Sequence, residues 1–546
     1  MSHAESAASL PAPSARRRWF PWIVLAVTAV ASTILLLMPT ENFDRGIRNS
    51  ILFVVVGAGG LALVLWLLLA SALKGNLRLL IGISLATVGL ALVLLIQKIE
   101  FSGDMNPTIV WRLGNSRAER LEEHRQRMAD HATTFSQAEL IPSNADCPDY
   151  RGLHRDGVVP AAPKLASDWT TTPPKLLWKQ PVGGGYAGFV VVGPLLATIE
   201  QRRDKEAVVA YDAQTGKERW TFEYPALFTE SLGGDGPRAT PTFFDGRLYA
   251  LGATGVLLCL NPENGAEIWR QDILEQNHAA NLQWGMCGSP LPYDDWVVVN
   301  PGDQQPAGVN PPANSHAILA YDRTSGKLAW AGGHGRASYS SPMLLELAGT
   351  RQLVVFDAPG LAGHDPTDGR ELWRVEWKTN FEINAAQPIL VADNRLLISS
   401  DNGAALVEVA ETGGNWSAKE IWRNNLLKCS YACPLLYGEQ VYGLNKGILT
   451  CLDVATGKRR WQGGRYGHGQ MLLCGDKLVI LAESGELVLV QATPDAHREL
   501  GRIQAIEGKT WNNPAMVGNR VYVRNHIEMA AYELPVVAAP VSAPGP

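Results

Sequence analysis

The stretches YDAQTGKERW (211–220), LNPENGAEIW (260–269), YDRTSGKLAW (321–330), HDPTDGRELW (364–373) and LDVATGKRRW (452–461) repeat one pattern. Each reads as a strand ending in Asp or Asn, a turn containing Gly, and a second strand ending in Trp. This is hairpin chemistry: Asp or Asn closes the turn by accepting from its own backbone, and Gly supplies the positive φ. A sixth copy, VEVAETGGNW (407–416), is degenerate, with a longer loop that delays its Trp to Trp422.

Outward from the hairpins, each unit has a second half. GPRATPTFFDGRLYAL, GMCGSPLPYDDWVVVN and YGHGQMLLCGDKLVIL share an inner strand, a tight turn and an alternating apolar strand. Eight such copies recur at roughly 46 residues. Four strands per unit predict a propeller blade, and eight blades fill residues 170–535. The segment PPKLLWKQP (173–181) puts Trp178 in an outer-strand position with no hairpin before it. The last strand, MAAYEL (529–534), belongs to a unit that lacks an outer strand. Pairing the two closes the ring.

The first hundred residues are of another kind. Runs at 21–38, 51–73 and 79–96 carry no charge and have the length of spanning helices. Arg16, Arg17 and Arg18 before the first run, with Lys74 and Arg78 between the second and third, place the N-terminus inside. The expected layout is a cytoplasmic tail (1–20), a three-helix anchor (21–97), a helical linker (98–145), a propeller (146–536) and a disordered tail (537–546). The expected location is the inner membrane, multi-pass, with the propeller on the periplasmic side. Within the linker, SRAE (116–119) reads as a capping box opening a helix charged nearly all round, a solvated spacer or, in the sharper alternative, a partner-binding helix.

Composition narrows the classes. At 46% hydrophobic residues the chain has ample surface to bury, which excludes wholesale disorder. A net charge of −5 gives no basis for nucleic-acid binding. Seven Cys without a C-x-x-C pair exclude a disulfide scaffold and a haem attachment site.

The D-x-x-T-G-x-x-x-W units resemble the PQQ-like β-propeller repeats of quinoprotein alcohol dehydrogenases and of the outer-membrane assembly lipoprotein. The segment CPDYRGLHRDG (147–157) is similar to the signature preceding many bacterial propellers of this type, with Cys147 where an aromatic is usual. The fold class expected is therefore an all-β, eight-bladed PQQ-like propeller preceded by three transmembrane α-helices. The repeats specify fold, not chemistry.

Innermost strands line the channel of a propeller, and their leading residues face its mouth. Aligned on the Pro that opens this strand, Tyr186, Arg238, Cys287, Tyr339, Ala385, Tyr431, His468 and Trp511 stand three positions before it. Gly188, Thr240, Ser289, Ser341, Gln387, Cys433, Gln470 and Asn513 stand one before it, on the same face. The candidate ligand site is Tyr186, Arg238, Tyr339, Tyr431, His468, Trp511 and Asn513, suited to a small planar or anionic ligand or to an envelope protein partner. His468 has no second His at ligand spacing, so no metal site is expected. The loop GDQQPAGVNPPAN (302–314) reads equally as a recognition loop and as plain surface.

Two functions compete. The first is a binding module, which needs only the surfaces of the propeller. The alternative is a PQQ-dependent alcohol or sugar dehydrogenase. The resemblance implies for it PQQ over a Trp floor, Ca²⁺ on Glu, Asn and Asp oxygens, and an Asp base. The aligned ring has no carboxylate, although Asp235 and Glu382 lie just upstream. No cofactor is assigned, and PQQ with Ca²⁺ is left open.

Overall fold

The computed structural model describes residues 15–38, 44–71, 73–128 and 134–537, so most of both expected tails lies outside the described residues. The chain forms two compact units, Met1–Gly114 and Asn115–Pro546. In the first, α1 (Ala15–Leu37), α2 (Arg45–Leu69) and α3 (Gly75–Leu95) are each long and apolar enough to cross a membrane. Asp44 caps α2 by accepting from the Ile47 amide at 3.1 Å.

The segment expected as a helical linker opens differently. After α3 the chain passes directly into an antiparallel hairpin, β1 (Ile96–Phe101) and β2 (Pro107–Trp111). Alternation in IQKIEF and β-branched residues in PTIVW favour strands over helix. Asn49 of α2 donates to the Asp104 carbonyl at 2.7 Å and to Asn106 Oδ1 at 3.1 Å, tying the hairpin turn to the helix.

The second unit is an eight-bladed β-propeller: eight four-stranded antiparallel sheets, each consecutive in sequence except the last. In blade 8 the order is β3 (Lys175–Pro181), then Glu528–Glu533, Arg520–Arg524 and Ala515–Val517, so an N-terminal strand closes the ring. Trp178 stands opposite Ala531, as its repeat position requires. The core is divided likewise into eight buried apolar clusters, each between neighbouring blades.

The hairpin signature explains how blades stack. Asp212 Oδ1 accepts from the Gln214 and Thr215 amides at 3.1 and 3.0 Å, and the same turn recurs at Asp322, Asp365 and Asp453. The turn glycine lies under the Trp of the preceding blade: a Cβ on Gly326 would stand 2.6 Å from Trp269, and on Gly369 2.7 Å from Trp330. The Trp indole then donates across the seam, from Trp269 to the Arg323 carbonyl at 3.1 Å and from Trp461 to Thr493 at 2.8 Å. Blade 5 has no such turn, because its hairpin is the degenerate copy. Trp373 of blade 4 accordingly bonds Gln352 of its own blade at 2.7 Å.

His364 opens the blade 4 hairpin where blades 1 and 3 have Tyr. It is fully buried, and burial pushes its pKa down to about 4, with only the Gly369 carbonyl at 3.1 Å to hold a proton. The folded state binds the proton less well than the unfolded chain, whose value is about 6.5. This contribution to stability is therefore complete above about pH 6.5 and is lost as the pH falls through about 4. The difference corresponds to about 3 kcal/mol. Urea unfolding of wild type and His364→Leu at pH 7.5 and pH 4 should show the variant losing less; equal losses would discount His364.

Candidate functional site

Strands alternate in direction within a blade. The loops entering the innermost strand and those between the second and third strands therefore share one end of the channel, the mouth. The signature segment 147–157 fills the channel from the other end. Asp146 accepts from Gly193 in a far-end turn at 3.3 Å, and Cys147 pairs with Val191 of blade 1. Arg155, 3% exposed, donates to the Ser289 and Pro342 carbonyls at 3.2 and 2.9 Å and also to Pro290. It is neutralised by Asp149 at 2.7 Å. Arg151 donates to Pro434 of blade 6 at 3.3 Å, and the chain leaves along Leu473 of blade 7. Arg151 and Arg155 have φ of 62° and 58°, and a Cβ on Gly157 would lie 2.5 Å from the Arg151 guanidinium. The R-G-x-x-R-D-G spacing is thus the spacing of a channel plug.

Above the plug, the residues one position before the Pro form a collar. The Gly188 amide donates to Thr240 Oγ1 (2.9 Å), Thr240 to Ser289 Oγ (3.0 Å), Ser289 to Ser341 Oγ (2.9 Å), Ser341 to Gln387 Oε1 (3.2 Å) and Gln387 to Cys433 Sγ (3.2 Å). These polar groups tie blade to blade. Asn513 stands at this level across the closing seam, its carbonyl oxygen 3.0 Å from where a Gly188 Cβ would be.

At the mouth, four expected residues come together. Ring centroids of His468 and Tyr431 are 4.9 Å apart, Tyr431 and Trp511 5.2 Å, and Trp511 and Tyr186 5.4 Å. Tyr339 is apart from them, packed edge-on against Trp284 at 5.7 Å. Arg238 lies 5.4 Å from the centroid of Tyr186 and 4.9 Å from that of Phe228. Its Nη1 and Nη2 donate to the Gly236 and Gly234 carbonyls at 2.5 and 2.6 Å, so its fork first holds its own loop.

Three further participants lie outside the aligned repeat positions. Lys509 Nζ sits 4.1 Å from the Trp511 centroid and 5.4 Å from that of Tyr186. His526 packs on Tyr186 at 6.0 Å. Glu483 accepts from Trp511 Nε1 at 2.9 Å and from the His468 amide at 3.1 Å. Glu483 and His526 both follow a second strand, a repeat position that faces the same end, so the sequence does carry a signal for them.

No site for a calcium-bound quinone is resolved among the described residues. Asp235 takes the Glu230 amide at 3.2 Å and Glu382 pairs with Arg336 at 2.7 Å, while Glu483, the carboxylate at the mouth, is engaged by Trp511 and the His468 amide. Among the described residues no group of three or more His, Cys, Asp or Glu converges on a metal position. The aromatic rings of the mouth pack on one another in tilted pairs, with interplanar angles of 33–47°. All seven cysteines are free, and burial pushes the Cys147 thiol up to about 12. The base of loop 302–314 is braced, with Gln304 donating to Pro301 and Ala280 at 2.6 and 2.8 Å, while residues 306–314 are exposed.

The fold and its repeats define an eight-bladed PQQ-like β-propeller with no resolved catalytic or cofactor site among the described residues. Residues 204–463 match the family model described as outer membrane protein assembly factor BamB. A curated relative, outer membrane protein assembly factor BamB of Marinobacter adhaerens, is 27% identical over 88 residues, 16% of this chain and 18% of that protein's length. Among solved structures, quinohemoprotein alcohol dehydrogenase from Comamonas testosteroni superposes with a TM-score of 0.53 at 14% identity, covering 78% of this chain and 85% of that one. One from Pseudomonas putida gives 0.50 at 13%, covering 76% and 84%. The structural likeness is one of fold.

These matches correct one expectation. The inner-membrane, multi-pass location is overturned, because the family model and the curated relative both carry the name of an outer membrane protein assembly factor. Hydropathy and Lys/Arg asymmetry report span length and sidedness, and neither encodes which membrane is meant.

Proposed function

We propose that this chain is a binding scaffold whose mouth receives an anionic group presented by a protein partner of the cell envelope. The observation that carries this reading is a channel plugged from the far end, with Arg238 and Lys509 both held on Tyr186 at the open one. The matched assembly-factor family supports a protein as the partner. A cation held on an aromatic face is oriented before binding, which lowers the entropy lost on contact.

Fluorescence anisotropy of the purified full chain against an acidic peptide library should find ligands that lose affinity when their Asp and Glu become Asn and Gln. Lys509→Ala should weaken those hits ten- to hundredfold, the effect of losing a charge-assisted contact of about 1.5–3 kcal/mol. The melting temperature should hold. Binding indifferent to peptide charge would defeat the proposal, as would PQQ- and Ca²⁺-dependent alcohol or sugar oxidation by the same preparation.

A further inference from the structure

The charged helix after residue 115 is not a solvated spacer. Ser116 and Glu119 form the expected capping box, with amide contacts at 3.2 and 2.7 Å, and the helix α4 (Arg117–Met128) follows. It lies on the seam where the propeller closes. Leu121, 6% exposed, is its buried residue. Arg125 grips Glu218 of blade 1 with two hydrogen bonds of 3.1 Å. A cavity of about 380 Å³ remains beneath the helix, bounded by Leu121 and Met128, by Gln180 and Pro181 of β3, and by Tyr211 and Trp220 of blade 1.

The ion pair continues inward. Arg202 donates to Glu218 at 2.9 Å and to the fully buried Glu200 at 2.6 Å, and Glu200 accepts from Tyr211 at 3.2 Å. From the other side of the seam, the buried Arg524 of blade 8 donates to the Ile199 and Gly183 carbonyls at 3.2 and 2.9 Å. Burial opposes the charge on Glu218, yet Arg202 and Arg125 keep its carboxyl below the usual range. One buried leucine and a cavity make a weak dry contact, whereas the charges give a directed one.

We propose that α4 is a detachable clasp on the ring-closing seam: docked through Leu121 and Arg125 it holds β3 shut against blade 1, and lifted it loosens the closure. In the chain the helix follows the three apolar helices and their hairpin, so whatever displaces this segment acts on the seam. Such a device differs from a mere appendage in what it protects. A helix that only rests on the surface shields its own amides. A clasp shields those of β3 as well.

Hydrogen exchange on the full chain in detergent distinguishes the two. Arg125→Ala with Leu121→Ala should raise exchange at least tenfold in residues 175–181 and 528–533, with the strands of blades 3–6 unchanged. Arg125→Lys should restore part of the protection. Faster exchange confined to residues 117–128 would overturn the clasp. So would a uniform rise over all blades, which marks global destabilisation. Should the double variant fail to fold, Glu218→Gln alone is read by the same pattern.

Discussion

Removing β3 should turn a soluble ring into an aggregating one. Chains beginning at residues 134, 168 and 183 separate the contributions: the first keeps plug and closing strand, the second loses the plug, the third loses both. β3 pairs six positions with the strand Glu528–Glu533. It also brings Trp178 onto the Gly216 turn, where the indole donates to the Ala213 carbonyl at 3.2 Å. Six ladder positions at about 0.5–1.5 kcal/mol per hydrogen bond, plus about 1.5–3 for the Trp, total about 4.5–12 kcal/mol. That equals the net stability of a typical domain, about 5–15 kcal/mol. The strand 528–533 would also become an unprotected edge. The 183 chain should sediment as aggregate while the 134 chain melts cooperatively. Equal melting temperatures for the 168 and 183 chains would refute closure by β3.

Arg155→Ala should cost more stability than any other single substitution in the plug. The side chain is buried among carbonyls of blades 3 and 4 and pairs with Asp149, itself bonded to Thr242 of blade 2 at 2.8 Å. Removing one partner of a buried pair strands the other, at a cost of about 3–5 kcal/mol. Arg155→Lys should recover little, because a lysine lacks the planar fork that reaches three blades at once. Arg155→Ala with Asp149→Ala should recover part, since no buried charge is left unpaired. Chemical unfolding of the four chains measures this. A single variant within about 0.5 kcal/mol of wild type would mean the segment merely occupies the channel.

The blade count, the closing strand and the capping box at Ser116 are legible in the sequence because each rests on local chemistry. Asp-x-x-Thr-Gly makes its turn wherever it occurs, and period-two alternation places a strand face without reference to neighbours. The hairpin at 96–111 is only faintly legible, in the alternation of IQKIEF and the β-branched residues of PTIVW, because runs of five or six residues do not by themselves decide strand over helix. The charged helix at 117–128 misleads for another reason. A surface of Glu and Arg predicts solvent, whereas in the fold Arg125 finds Glu218 ninety-three residues away.

Of the candidate site, the fold brings Tyr186, Tyr431, His468 and Trp511 together, since equivalent repeat positions converge in a closed ring. Repeat alignment gives Arg238 an outward task, and the fork is engaged with Gly234 and Gly236. The plug shows in the sequence only as a resemblance, because nothing local in CPDYRGLHRDG reveals that a channel surrounds it.

By itself, then, the order of residues determined the blade, the number of blades, the strand that closes them and three apolar helices. These follow from periodicity and turn stereochemistry, which act over a few bonds. Tertiary structure alone decided that the channel is plugged, that the collar is spent on blade-to-blade hydrogen bonds, and that Lys509 joins the mouth. Those depend on which groups the closed ring brings within about 3–5 Å, the range over which hydrogen bonds and cation–π contacts form. Distance along the chain does not encode that proximity.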